Sequence, residues 1–297
     1  MKANIRGTEI YFDVAGMQIV PDGDSLIEKP VLFLIHGGPG SNHIHFKYDS
    51  IKLQKYAQLV FIDQRGCGFS KKTKKTDYTL ENNIKDIEAL RKYLGLKRIS
   101  ILGISYGGIV AQGYAIRYSK NIDKLILVVT APSHHFIDEA KKNLQQIGNA
   151  KQITVCEKYL WNGKFNSDRE VNYYFKVMDP LYIYNHKKKK RKKPSFKKTK
   201  FGELKNFLSY EVLNVGFSDF LHRFNYISKL KKITSPTLIL AGQNDWVCSP
   251  KQSRIIADSI PNSKLKIFKK CGHALAVDVN DKYIKEVKIF LKRNSSK

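Results

Sequence analysis

Residues 99–116 form an uncharged stretch of eighteen positions in a chain where 27% of residues are charged. Its length alone would suit a membrane span. Its composition does not, because Gly103, Ser105, Gly107, Gly108, Gln112 and Gly113 interrupt the apolar residues. The stretch reads instead as three pieces in series. Residues 99–102 are a short apolar run of strand type, 103–108 read Gly-Ile-Ser-Tyr-Gly-Gly, and 109–118 are helical in character. A strand turning this sharply into a helix puts the residue at the apex, Ser105, in a strained backbone with its hydroxyl over the sheet edge. Side chains two positions before and after it would collide, which explains Gly103 and Gly107. The plainer reading, a Gly-rich turn with an incidental Ser, leaves the strand–turn–helix setting unexplained.

The rest of the chain builds a fold around that unit. Apolar runs at 31–35, 59–62, 125–129, 238–241 and 265–268 look like further buried strands. Between them lie helical patterns, among them Leu80, Ile84, Ile87, Leu90 and Leu94, and near the end Ile284, Val287, Phe290 and Leu291. Strands buried on both faces and alternating with amphipathic helices imply an α/β fold with a mostly parallel sheet flanked by helices. Residues 5–14 alternate less cleanly and are predicted to be an antiparallel edge strand. The rhythm stops after 129. Residues 133–232 hold no buried strand run and are aromatic and helix-prone, with Tyr159, Trp161, Tyr173, Phe175 and Tyr210. A hundred-residue excursion between core strands implies an inserted, mainly helical cap at 133–232 within a core of 1–132 and 233–297.

Lys and Arg outnumber Asp and Glu by 53 to 26, a net charge of +27. The excess is scattered, so a general Lys bias is the plainer reading over a dedicated polyanion site. The densest run, 187–193, is followed by Lys197, Lys198 and Lys200, and 186–200 is predicted to be an exposed basic loop. It resembles a nucleic-acid patch, but no helix-turn-helix, RNP or zinc-finger pattern accompanies it, so no specific nucleic acid is expected. Cys67, Cys156, Cys248 and Cys271 form neither a disulfide framework nor a C-x-x-C pair. Residues 1–13 carry charges and no apolar signal core. The expectation is a soluble cytoplasmic protein without a membrane span, metal or cofactor, of open oligomeric state.

A serine hydroxyl is a weak nucleophile until a base takes its proton, and the base needs an acid to fix its tautomer. In this kind of fold the partners follow in the order Ser, acid, His. The run 238–241 ends in Gly-Gln-Asn-Asp245, and 265–268 leads to Cys-Gly-His273, so both groups fall at the C-terminal ends of strands. Asp245 and His273 are therefore predicted to converge on Ser105. The rival acids fit less well: Asp258 falls within a helix, and Asp278 follows His273. The oxyanion of a tetrahedral intermediate needs donors in place. Tyr106 N–H, at the start of the helix, is one candidate. The other is Gly38, in the turn His-Gly-Gly-Pro-Gly at 36–40.

Taken together, H-G-G-P-G at 36–40, D-Q-R-G-C-G-F-S at 63–70, G-I-S-Y-G-G at 103–108, G-Q-N-D at 242–245 and G-H at 272–273 resemble the proline iminopeptidase family of α/β hydrolases. The likeness covers about 31–132 and 232 to the end. It implies Ser105, Asp245 and His273 as the triad, Gly38 and Tyr106 as the oxyanion hole, and structural roles for Asp63 and Arg65. Aminopeptidases of this family hold the substrate amine with acidic residues in or near the cap, and some carry Glu directly after the catalytic Asp. Here that position is Trp246, which leaves Glu157, Glu211 and Asp219 as candidates. The resemblance implies a serine hydrolase of small acyl substrates, foremost an aminopeptidase on short peptides. The alternatives are an esterase or amidase and, from a different class, a non-catalytic binding protein on the same fold. Anchoring on RNA or anionic lipid through 187–193 is compatible with the first.

Overall fold

The computed structural model describes residues 1–184 and 208–292; the basic run at 186–200 lies outside them. Ten strands are present among the described residues: β1 (Lys2–Ile5), β2 (Thr8–Ala15), β3 (Ile19–Asp22), β4 (Ser25–Glu28), β5 (Val31–Ile35), β6 (Gln58–Ile62), β7 (Ile99–Ile104), β8 (Ile122–Val128), β9 (Thr237–Gly242) and β10 (Ser263–Phe268). Eight of them make one sheet in the order β1-β2-β6-β5-β7-β8-β9-β10, and β3 pairs only with β4. From β6 to β10 every neighbouring pair is parallel, whereas β1 and β2 are antiparallel additions. The predicted strand at 5–14 is thus two strands, broken at Arg6 and Gly7, whose φ values of 48° and 71° form a tight turn.

Strand alternation divides the core into two layers. Leu32, Leu34, Leu59, Phe61, Leu102 and Leu240 face α1 (His43–Ser50) and the late helices α9 (Leu275–Asp278) and α10 (Asn280–Lys292), including Tyr283 and Val287. Phe33, Ile35, Val60, Ile101 and Ile239 face α2 (Leu80–Tyr93), α3 (Tyr106–Arg117) and α8 (Pro250–Ser259). The uncharged stretch at 99–116 is β7, the serine and most of α3, and among the described residues no helix is long and apolar enough to cross a membrane.

Between β8 and β9 the described residues hold helices and no named strand: α4 (Phe136–Ile147), α5 (Ala150–Val155), a π-helical turn over Cys156–Leu160, α6 (Asp168–Tyr182) and α7 (Tyr210–Ser218). Phe136, Leu144, Trp161, Tyr174 and Phe217 join the same hydrophobic cluster as α2 and α3, so the insertion shares one apolar layer with the sheet. It is tied to the loops at the C-terminal edge of the sheet. Ser209 N–H donates to the Gly40 carbonyl at 2.7 Å, and Ala274 N–H donates to the Tyr182 carbonyl at 2.8 Å. A Cβ on Gly216 would lie 2.2 Å from Pro39 Cγ, so α7 rests on the 36–40 turn through a bare glycine.

Candidate active site

The chain order reverses at β5, whose neighbours β6 and β7 both follow it in sequence, and ligand crevices of open parallel sheets lie outside the strand C-termini beside such a switch. Ser105 follows β7 there with φ 54° and ψ −121°, a strained conformation for a residue with a side chain. Thr130 Oγ1 donates to the Ser105 carbonyl at 2.8 Å and holds the turn. The two flanking glycines are required by space. A Cβ on Gly103 would lie 2.3 Å from the Gly107 carbonyl oxygen, and one on Gly107 would lie 2.1 Å from that of Ile35.

Asp245 follows β9 and His273 follows β10, and the two meet Ser105 across the strand ends. His273 Nδ1 donates to Asp245 Oδ2 at 2.8 Å while Nε2 faces Ser105 Oγ at 3.0 Å. The Asp245 side chain is wholly buried; its second oxygen accepts the backbone N–H groups of Val247 at 2.9 Å and Cys248 at 3.0 Å. These two donors fix the carboxylate plane and leave one lone-pair edge for the imidazole. The rival acids lie elsewhere. Asp258 sits in α8, and Asp278 accepts from Gly272 N–H at 2.8 Å and Tyr184 N–H at 3.0 Å, thereby bracing the loop that carries His273.

The 36–40 turn lies directly against the serine, because a Cβ on Gly37 would meet Ser105 Cβ at 3.2 Å. Gly38 adopts φ 119°, a value side chains rarely reach. The 36–40 turn thus brings backbone against Ser105 at Gly37, and Tyr106 opens α3, where helix N–H groups and the helix dipole favour negative charge. The Tyr106 ring is buried and packs on Phe220, 5.6 Å between centroids, and its hydroxyl accepts from Asn83 Nδ2 at 2.7 Å. Burial pushes its hydroxyl well above the ordinary tyrosine range. His36 is buried; its Nδ1 donates to the Gly37 carbonyl at 2.8 Å and its Nε2 accepts from Gln64 N–H at 3.1 Å. Burial holds this imidazole below its usual range, against the pull of Asp63, so it is neutral. Asp63 accepts from His43 N–H at 2.8 Å and Phe69 N–H at 2.9 Å, while Arg65 grips Asp86 of α2 with two bonds at 2.9 and 2.8 Å. Both brace the loop beside the site.

The remaining candidates are dispersed. Trp246 is 3% exposed, its ring lies 6.5 Å edge-on to Trp161 and 5.6 Å from Tyr182, and its indole N–H has no partner among the described residues. Glu157 is exposed, accepts from Gln145 at 3.2 Å and lines a surface cavity of about 270 Å³ with Lys141 and Trp161. Glu211 lies 3.9 Å from Lys72, and Asp219 pairs with Arg223. None of the three has a hydrogen bond to the triad residues. Tyr182, absent from the sequence reading, stands beside the site, with its ring 5.7 Å from His273 and 5.6 Å from Trp246. No motif announces it; it arrives at the end of α6 by tertiary contact alone. Among the described residues no group of three or more His, Cys, Asp and Glu is placed to hold a metal.

A serine at a strained strand–helix turn, with His and Asp from later strand ends, defines the hydrolase class of this architecture, and the α/β hydrolase fold family model matches residues 30–278. The similarity is closer than the class. Proline iminopeptidase PfmaB of Pestalotiopsis fici is 32% identical over 97% of this chain and 98% of its own. Proline iminopeptidase of Lactobacillus helveticus is 30% identical over 95% and 94%. The crystal structure of proline iminopeptidase from Mycobacterium smegmatis superposes with a TM-score of 0.68, at 17% identity over 98% of this chain and 97% of that one. The chain belongs to the proline iminopeptidase family of α/β hydrolases and is a hydrolase of the serine type.

Proposed function

We propose that the chain is an aminopeptidase of the proline iminopeptidase kind, releasing the N-terminal residue of short peptides through an acyl-enzyme on Ser105. As Ser105 Oγ attacks the carbonyl carbon, His273 Nε2 takes its proton and Asp245 steadies the imidazolium through Nδ1. The N–H groups of Gly38 and Tyr106 receive the oxyanion. His273 then returns the proton to the amine nitrogen, the C–N bond breaks, and the shortened peptide leaves. Water attacks the ester with His273 again as base, which frees the acid and restores the serine. The observation that carries this reading is the position of His273, 3.0 Å from Ser105 and 2.8 Å from Asp245. The α4–α7 insertion acts as a cap. The seat of α7 on the 36–40 turn and the place of Tyr182 beside His273 support a covered site that excludes folded protein. The four cysteines, all buried, support action in a reducing compartment, the cytoplasm.

A substrate ammonium in such a site needs a carboxylate, since an unpaired buried charge costs several kcal/mol. Asp219 has the best claim of the three. It ends α7 and precedes Phe220, whose ring packs on Tyr106. Its pair with Arg223 is solvent-exposed, and exposed pairs are weak enough for an ammonium to compete. A second reading, an esterase or amidase of neutral acyl groups, is favoured by Trp246: its buried, unpartnered N–H suits a neutral acceptor, and Trp161 and Tyr182 make the surroundings apolar. Hydrolysis of prolyl-, alanyl- and leucyl-naphthylamides beside p-nitrophenyl esters separates the two. The aminopeptidase should favour the free-amine prolyl substrate, and Asp219→Asn should slow it roughly tenfold or more, the factor for about 1.4 kcal/mol of lost pairing, with esters little changed. Preference for esters or N-acylated substrates, unaffected by Asp219→Asn, would give the second reading first place.

A further inference from the structure

The end of the sheet opposite Ser105 carries features that the hydrolytic reaction does not use. The strands β5 to β10 run parallel, so their N-terminal ends share one edge. The β3–β4 hairpin leaves the sheet at that edge, because β2 ends with Ala15 opposite Leu59 near the start of β6. Lys29 N–H closes the hairpin base on the Gln18 carbonyl at 2.7 Å. The register, Ile19 opposite Glu28 and Pro21 opposite Leu26, puts these four residues on one face. Ile19 is 58% and Leu26 71% exposed, and with Met17 and Ile27 they make four of the ten exposed large hydrophobic side chains among the described residues. A two-stranded ribbon is marginal by itself, and an apolar ribbon held out into solvent is a surface for association.

Charge is sorted at the same end. Residues 7–28 hold five carboxylates and no Lys or Arg, in a chain of net charge +27. Three of the five, Asp22, Asp24 and Glu28, are on the hairpin. The segments that lead into the parallel strands are basic instead: Lys29 before β5, Lys55 before β6, Lys97 and Arg98 before β7, Lys120 before β8 and Lys232 before β9. All but Lys29 are exposed, and among the described residues only Arg98 of the six has a carboxylate at ion-pair distance, Asp123 at 2.8 Å. An acid-tipped apolar hairpin and a row of cations, most of them without a carboxylate partner, therefore share one end of the molecule.

An RNA or an anionic membrane would meet the cations but would be repelled by Asp22, Asp24 and Glu28, and an RNA would also leave Ile19 and Leu26 in water. A second copy turned about a two-fold axis offers both complements at once, its cations to this hairpin and its hairpin to these cations. We propose that the chain self-associates through this end as a two-fold dimer, each β3–β4 hairpin lying against the row of strand-entry lysines of the other copy. The catalytic edge faces away, so association leaves turnover unchanged.

Sedimentation of the full chain should give the mass of two chains at low salt, with dissociation promoted as salt screens the charges. Ile19→Lys with Leu26→Lys should give a monomer of unchanged melting temperature and kcat. Reversal of the row (Lys97→Glu, Lys120→Glu and Lys232→Glu) should also give a monomer. Mixing that chain with one whose hairpin is reversed (Asp22→Lys, Asp24→Lys and Glu28→Lys) should recover the dimer mass, although neither variant dimerises alone. A monomeric wild-type chain overturns the proposal, as does a dimer that survives either reversal. A monomer that binds a single-stranded RNA oligomer or phosphatidylserine vesicles, and loses that binding when the row is reversed, overturns it in favour of a polyanion site.

Discussion

Replacing Asp245 with Asn tests how the three site residues are wired. Asp245 Oδ1 accepts two backbone N–H groups, those of Val247 and Cys248, at 2.9 and 3.0 Å. Those donors require an acceptor, so the Asn oxygen must stay there and its NH2 must take the place of Oδ2. The NH2 group donates, so His273 must accept at Nδ1 and carry its proton on Nε2, toward Ser105. The base is then already occupied. A loss of this kind is worth roughly 10⁴ in kcat, about 5.4 kcal/mol at the transition state. Stability changes much less, because two hydrogen bonds to a charged acceptor become neutral ones at about 1 kcal/mol each. The variant should therefore fold, melt a few degrees below wild type, and turn over p-nitrophenyl ester and aminoacyl-naphthylamide at about one ten-thousandth of the normal rate. A variant within tenfold of wild-type kcat would refute the wiring.

Three further outcomes are expected. His36 binds its proton less readily when folded, so its contribution to stability is fully present above the unfolded imidazole value, roughly 6.5, and is lost as pH falls below it. Melting temperature should drop less steeply from pH 7.5 to 5.5 in His36→Gln than in wild type, and identical slopes would contradict this. Asp86→Ala strands the buried Arg65 guanidinium and should cost about 3–5 kcal/mol in denaturant unfolding, against at most about 1 kcal/mol for the exposed Lys52–Asp281 pair. Gly216→Ala drives a Cβ into Pro39 and should lower kcat by displacing the 36–40 turn, with circular dichroism unchanged; wild-type kcat would show that the turn does not depend on α7.

The parallel core was legible because its central strands are buried on both faces: β5 and β9 have no exposed residue and read as unbroken apolar runs. Ser105 and Asp245 could be found for the same reason, since each directly follows or closely trails such a run; His273 trails β10, an edge strand whose Lys264 and Lys266 are exposed rather than the buried strand expected there. The edges were less readable. The break at Arg6 and Gly7 places an arginine at positive φ, which no local preference announces. The β3–β4 hairpin does carry a turn signal at Gly23, but its apolar residues face water rather than a core, so they gave no periodic run to read. Tyr182 and the surroundings of Trp246 depend on where α6 ends against the loops after β9 and β10. That placement rests on contacts such as Ala274 N–H to the Tyr182 carbonyl, between residues distant in sequence.

The central claim is that Ser105 is an armed nucleophile. Treatment of the intact chain with a fluorophosphonate, followed by digestion and mass spectrometry, locates any adduct. A single adduct on Ser105 is expected, absent in Ser105→Ala and formed far more slowly in His273→Ala. A folded chain that stays unlabelled, or that carries its adduct on another serine, would contradict that claim.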